Sequence, residues 1–347
     1  MNQDLTIRKL TRKDYTAWDQ YVNTHQQGSF FHLSGWLDVI NDVFGHQPHY
    51  LMAQREGQVV GVLPMFEQKS VLFGHALVST PFCVYGGVIA DQDTIRHQLE
   101  AAALELGCKL QVDYIELRDR QEQDCQAPWI RHCHHATFKN KLADSEDDIL
   151  SGIKRKQRAV IRHAQKNNLS WETEDNPDLC FELYAESVRN LGTPVFHPSL
   201  FQKLKQTFGK SCETLVVRDT NGKPVSGVLS FYYKNQVLPY YGGGTQAARD
   251  LKSNDFMYYQ LMVQARQRGA ELFDFGRSKI DSGAYHYKKH WGMEEQPLHY
   301  RIALVKAKRP PNLSPNNPKY RYFIRAWQNL PLGLSKHIGP MLSKYLG

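Results

Sequence analysis

The 347-residue chain runs through one order of elements twice. Around Gly61 it reads LMAQREGQVVGVLPMF, a strand, a Glu-Gly turn and a second strand. Around Gly227, LVVRDTNGKPVSGVLSFYY again gives strand, Asn-Gly turn, strand. Each copy continues to a Tyr-Gly-Gly element, Tyr85-Gly86-Gly87 and Tyr241-Gly242-Gly243. A helix closed by glycine follows (Gly107, Gly269), and then a strand ending in arginine (Arg118, Arg277). A period of about 160 residues is too long for a solenoid repeat and fits a duplicated domain.

Length and composition agree with two domains, since 41% hydrophobic residues suffice for two cores. No window reaches the roughly 18 uninterrupted apolar residues of a membrane span. The opening MNQDLTIRKLTRKD carries charge where an export signal needs an apolar run, so a cytoplasmic protein is expected. The six cysteines are scattered and read as reduced core thiols. A net charge of +8 points to an anionic partner.

In the first copy, Ser34 begins a helix with Trp36, Leu37, Ile40, Val43 and Phe44 on its apolar face, and Gly45 ends it. Strands are expected at 49–54, 59–66, 71–79, 84–89 and 113–118. They outnumber the helices, so the class is α+β rather than doubly wound. A His-rich stretch from Asp119 to His135 reads as the join. Its Cys125, His132, Cys133, His134 and His135 match no usual zinc spacing, and no metal is expected.

One long helix from Ser145 to about Asn167 opens the second copy, with Ser145 and Asp148 as a capping box. Its outer face carries Lys154, Arg155, Lys156, Arg158, Arg162, His163 and Lys166. Two readings stand here: dipole complementarity on a solvated face, or contact with phosphates. Asn176-Pro177 starts another helix that ends at Arg189 and Leu191-Gly192-Thr193-Pro194. Beyond Lys306 a proline-rich linker leads to a segment rich in bases, aromatics and leucines. Broken by Pro331 and Pro340, that segment reads as short amphipathic helices. They either fold back on the core or, through 316–347, touch an anionic membrane.

The chemistry concentrates in GAELFDFGRSKIDSGAYHYKKHWG, residues 269–292. A hydrophobic strand ends in Gly276-Arg277, and Tyr287-Lys288-Lys289-His290-Trp291-Gly292 follows a polar loop. Cations and aromatics this close to a strand end suit phosphates or a developing oxyanion. The alternative is a strand edge with ordinary surface lysines. Nucleophile-elbow, Walker A, His-Glu-x-x-His and Rossmann patterns are absent. After Tyr-Gly-Gly-Gly the chain reads Thr245-Gln246-Ala247-Ala248-Arg249-Asp250, without the glycines that let backbone N–H groups cradle a pyrophosphate. This disfavours coenzyme A as a donor carrier.

These residues carry a resemblance. A duplicated strand-rich domain, PYYGGG, LFDFGRSK and YKKHWG resemble the Fem-type aminoacyl transferases. SVRNLGTPVFHPSLF and the tail NNPKYRYFIRAWQNLPL resemble the Fem-like branch associated with exosortase/PEP-CTERM exopolysaccharide clusters. The resemblance implies two tandem domains of the GCN5-related N-acetyltransferase fold, 1–136 and 137–305, with a C-terminal extension over 306–347. It implies transfer of an aminoacyl or acyl group onto a phosphate-bearing peptidoglycan or exopolysaccharide precursor. Aminoacyl-tRNA is the candidate donor, no bound cofactor is needed, and the enzyme works in the cytoplasm or at the inner face of the membrane. An acyl-CoA-dependent N-acyltransferase and a non-catalytic scaffold at a polysaccharide assembly site are the competing readings.

Lys288 falls on the family's lysine that steadies the donor ester and is the expected catalytic residue. Arg189 and Tyr241 fall near positions that hold the acceptor's phosphates. Trp36 and Tyr287 are further expected substrate contacts, and Arg277 joins them on charge and place. Lys154, Arg155, Arg158 and Arg162 are expected to hold the donor's polyanion. Asp274 and Glu294 are candidate bases.

Overall fold

Apolar residues alternate with polar ones through the strand-rich stretches and recur at helical spacing between them, and the chain folds accordingly. The structure, a computed structural model, describes residues 5–71, 73–310 and 318–346. The proline-rich 311–317 lies outside the described residues.

The amino-terminal stretch forms β1 (Leu5–Lys9), α1 (Tyr15–Thr24), α2 (Gly35–Phe44), β2 (Gln47–Pro48), β3 (Leu51–Arg55), β4 (Gln58–Leu63), β5 (Met65–Ser70), β6 (Gly74–Ser79), β7 (Ile89–Ala90), α3 (Asp93–Leu110), β8 (Tyr114–Asp119) and β9 (Trp129–Arg131). The strand expected over 59–66 is two strands. Pro64, which cannot donate to a ladder, separates them, and they enter different sheets. One sheet runs β1-β3-β4-β7; the other begins β2-β5-β6-β8, with β6 and β8 parallel. Ile95, Leu99 and Ala103 of α3 pack among Leu51, Leu63, Leu77 and Ile115.

The second stretch forms β10 (His135–Lys141), α4 (Glu146–Gly152), α5 (Arg155–Gln165), β11 (Ser170–Glu174), α6 (Asp178–Asn190), α7 (Ser199–Phe208), β12 (Cys212–Arg218), β13 (Pro224–Tyr233), β14 (Gln236–Gly244), α8 (Ala247–Leu251), α9 (Ser253–Gln267), β15 (Leu272–Asp274), β16 (Ser278–Lys279), α10 (Gly283–His290) and β17 (Glu294–Pro297). Its sheet runs β11-β12-β13-β14-β15-β10-β16, and β17 also pairs with β10. The long helix expected from Ser145 is two helices. Ile153 is buried in an extended conformation and Lys154 is extended as well, so the axis breaks between α4 and α5.

β18 (His299–Leu304) corrects the expected domain limits. It pairs antiparallel with β8 along its whole length and with β9 on its other side. The segment from Leu298 therefore belongs to the first compact unit, and the second is His135–Pro297 together with the C-terminal helices. Arg301 fixes the exchange chemically: its Nε donates to Asp119 at 2.7 Å and an Nη to Glu100 at 2.5 Å, all three side chains being buried. The extension folds as α11 (Pro318–Gln328) and α12 (Leu332–Ser343), packed on α6.

Candidate active site

In the second unit the parallel strands β14 and β15 pair only through Gln236↔Leu272 and Val237↔Phe273. β14 then runs on to Gly244 while β15 ends at Asp274, so the ladder between them stops after two residue pairs. The chain turns at Gly276 with φ +71°, a left-handed conformation open to glycine without steric cost. Asp274 fixes this turn. It is fully buried, and its Oδ1 accepts from the Gly276 N–H at 2.9 Å and from the Thr137 hydroxyl. Its Oδ2 lies 3.5 Å from the Lys139 ammonium. A carboxylate so engaged is a structural post, which removes Asp274 as a free base.

Ser282 caps α10 by accepting from the Tyr285 N–H at 3.2 Å, and Tyr287 to His290 are helical rather than extended. Successive helical side chains point about 100° apart. Lys288 turns to the Gly276 corner: its Nζ donates to the carbonyls of Phe275 at 2.6 Å, Gly276 at 2.9 Å and Arg277 at 3.3 Å. Lys289 turns outward, 3.5 Å from Glu295. Lys288 is thus enclosed by the corner rather than surface-reaching, and it forms no ion pair among the described residues. Burial pulls its pKa down to about 7, against the field of Asp274 and with help from the charge of Arg277. Arg277 is half-buried beside it and has no carboxylate partner among the described residues.

Aromatic packing holds α10 against this corner. The Tyr287 hydroxyl donates to Asp255 at 2.9 Å, and Gln157 donates to the same oxygen, tying α10, α9 and α5 together. Tyr287 is therefore a brace. Tyr258, which sequence reasoning overlooked, packs its ring on Phe275 at 4.9 Å and on Tyr287 and Trp291 at 6.2 Å. Its hydroxyl lies where a Cβ on Gly242 would stand, 2.5 Å away. The Tyr-Gly-Gly-Gly run is thus explained by close approach of α9 and α6 to β14, not by phosphate binding.

The Lys154 ammonium donates to the Lys289 carbonyl at 3.2 Å, so the basic helix begins where α10 ends. Arg155, Arg158, Arg162, His163 and Lys166 line an open groove along α5. None of its arginines or lysines has an ion pair among the described residues. The break at Ile153 places Lys154, Arg155 and Lys156 at the amino end of α5, where cations oppose the helix dipole. Dipole complementarity therefore fits Arg162 and His163 in the last turn and does not account for the bases at the start of this face.

The remaining expected residues lie elsewhere. Arg189 donates to the Gln328 carbonyl of α11 at 3.3 Å. Tyr241 is buried among Tyr184, Phe196, Phe201 and Tyr240. Trp36 is a core residue of the first unit, 1% exposed, with Nε1 donating to the Phe30 carbonyl at 3.0 Å. Glu294 is exposed on β17.

Residues 151–289 match the acetyltransferase (GNAT) domain family. The chain is 20% identical over 396 aligned positions to a lipid II:glycine glycyltransferase of Staphylococcus aureus (strain USA300), spanning 83% of this chain and 93% of the relative. It is 30% identical over 111 residues to a lipid II:glycine glycyltransferase of Staphylococcus haemolyticus (strain JCSC1435), a match covering only 26% of each protein. Among solved structures, FemX superposes with a TM-score of 0.68 at 16% identity, covering 92% of this chain and all of that one. A tandem GNAT protein from the clavulanic acid biosynthesis pathway does so with 0.55 at 13%, covering 89% and all. The fold is two tandem GNAT-like α+β domains with a C-terminal helical extension, and the chain is a transferase.

Proposed function

We propose that the chain moves an aminoacyl or related acyl group from an ester donor onto an amine of a cell-envelope precursor, as the Fem-type transferases it resembles do. The observation that carries this reading is the cationic corner at the end of β15, where Lys288 and Arg277 lie together without a carboxylate ion pair among the described residues. Such a corner is built for an anion that arrives with the substrate or develops during reaction.

In ester aminolysis the acceptor nitrogen forms a bond to the acyl carbon and the carbonyl oxygen takes up the charge. The carbon–oxygen bond to the carrier then breaks, and the nitrogen's proton ends on the leaving hydroxyl. Lys288 serves as the donor to the charged oxygen, exchanging its longest carbonyl contact, Arg277 at 3.3 Å, for that oxygen. Arg277 adds field at the same point.

Aminoacyl-tRNA is the donor this reading favours. The α5 groove offers unpaired cations to a nucleic-acid backbone, whereas α8 occupies the stretch after Gly244 where a pyrophosphate cradle would need glycines. The acceptor is a phosphate-bearing precursor of peptidoglycan or of an exosortase-associated exopolysaccharide, met on the cytoplasmic side. Incubation with labelled aminoacyl-tRNA, labelled acyl-CoA and candidate lipid-linked precursors tests the proposal. Label is expected to move from tRNA and not when Lys288 is methionine. Transfer from acyl-CoA alone, or an undiminished Lys288→Met variant, overturns it.

A further inference from the structure

Nine of the 43 Lys and Arg residues and none of the 35 Asp and Glu lie beyond Glu295, so the rest of the chain holds 34 bases against 35 acids. Four of the nine, Arg301, Lys306, Lys308 and Arg309, lie in the first unit's segment, with Arg301 buried against Asp119 and Glu100; the other five, Lys319, Arg321, Arg325, Lys336 and Lys344, lie in 318–344, which has no acid.

The helices within this stretch are built the wrong way round for water. α12 buries Ser335, Gly339 and Ser343, one helical face at a spacing of four, and Gly339 comes so close that a Cβ there would stand 2.8 Å from the Val195 carbonyl oxygen. On another face, Leu334 is 43% and Met341 67% exposed, seven residues apart and so on one stripe, with His337 exposed between them. α11 buries Trp327 and exposes Tyr322 and Phe323, and Leu191 at the end of α6 is exposed as well. A helix that hides its serines and shows its leucine and methionine gains nothing in water from that orientation.

The exposure does not come from a loose tail. Lys336 pairs with Glu182 at 2.8 Å, Gln328 donates to the Asn190 carbonyl at 3.2 Å, and Ile324 packs against Gly192. Nor is it a span, since no helix among the described residues is long and apolar enough to cross a membrane.

We infer that the outer stripe of α11 and α12 is a membrane-docking face. Tyr322, Phe323, Leu334 and Met341 enter the boundary between headgroups and acyl chains, and the acid-free extension neutralises anionic headgroups. Apolar exposure alone would also fit a protein partner or a second copy; the five bases and no acids of residues 318–344 select an anionic lipid surface. The inference does not depend on the transfer reaction.

Sedimentation of the full chain with phosphatidylcholine vesicles, with and without phosphatidylglycerol, tests it. Binding is expected only to the anionic vesicles and should weaken as salt rises. The double substitution Leu334→Glu and Met341→Glu should lower partitioning by about tenfold or more, with the melting temperature unchanged because both side chains are exposed. Absence of binding to anionic vesicles, equal binding to neutral ones, or an unaffected double variant overturns the inference. So does a concentration-dependent dimer that the same substitutions dissociate.

Discussion

Lys288 and Asp274 stand on two sides of one turn and do not pair. The carboxylate accepts from the Gly276 N–H and the Thr137 hydroxyl, while the ammonium donates to the carbonyls of Phe275 and Gly276. Asp274 therefore shapes the place into which Lys288 delivers its charge without neutralising it. Lys288→Met keeps most of the stem volume and removes the charge. Turnover should fall at least about a hundredfold, the scale of one oxyanion donor. The carbonyls it served lose their donor, so urea unfolding should also show a loss of about 1–3 kcal/mol. Lys289→Ala, exposed and paired only with Glu295 and Tyr285, should stay within about twofold of the native rate. Equal losses at both positions would mean a general basic patch.

The lowered pKa of Lys288, about 7, gives the activity a pH signature. If the ammonium is the working form, kcat/KM should fall as pH rises through about 7, because the free enzyme's lysine is then losing its proton. Bound anion favours the charged form, so the corresponding limb in kcat should lie at higher pH. Lys288→Arg should remove the limb in both. Stability runs with the opposite sign. Between about 7 and the ordinary lysine range the unfolded chain binds more protons, so this group's contribution to stability rises with pH and is lost as pH falls through that window. Denaturant midpoints of the native chain and Lys288→Met across that range should diverge accordingly.

Much of the fold was legible because a duplication prints its turns, glycines and strand ends twice. The cationic corner was legible because lysines and an arginine beside a buried strand end have few bland explanations. What escaped depends on partners distant in sequence. Nothing within YHYKKH marks it as a helix; the Ser282 cap ahead of it does. HYRIAL reads as a strand, but nothing local says that β8 rather than β17 is its neighbour; only the buried Asp119 and Glu100 make Arg301 necessary there. Trp36, Arg189 and Tyr241 carry the right chemistry for a ligand, and packing has used each of them in the core or against α11.

The α5 groove makes a quantitative prediction. If Arg155, Arg158 and Arg162 each meet a phosphate, tRNA affinity should fall steeply with salt, about one unit of log–log slope per contact. Changing all three to glutamine should flatten that slope by about three units and leave the melting temperature unmoved, since none has an ion pair among the described residues. Lys154, tied to the Lys289 carbonyl, should instead weaken α10 packing when replaced by alanine. A salt slope that does not change in the triple variant would return the face to plain solvation.

β18 offers the sharpest structural test. A chain ending before residue 298 keeps every element of the amino-terminal stretch, yet it lacks the strand that pairs with β8 over six residues and the arginine that pairs with two buried carboxylates. Removing one partner of a buried ionic cluster leaves uncompensated charge, at a cost of about 3–5 kcal/mol. Arg301→Met should therefore destabilise the first unit by about that amount in urea unfolding, while Arg301→Met with Asp119→Asn and Glu100→Gln should recover most of the loss. A fragment of residues 1–136 should show no cooperative unfolding transition, although its sequence carries a complete copy of the repeat. Cooperative folding of that fragment, or a silent Arg301→Met, would show that β18 is an accessory edge and that the first unit's sheet closes without it.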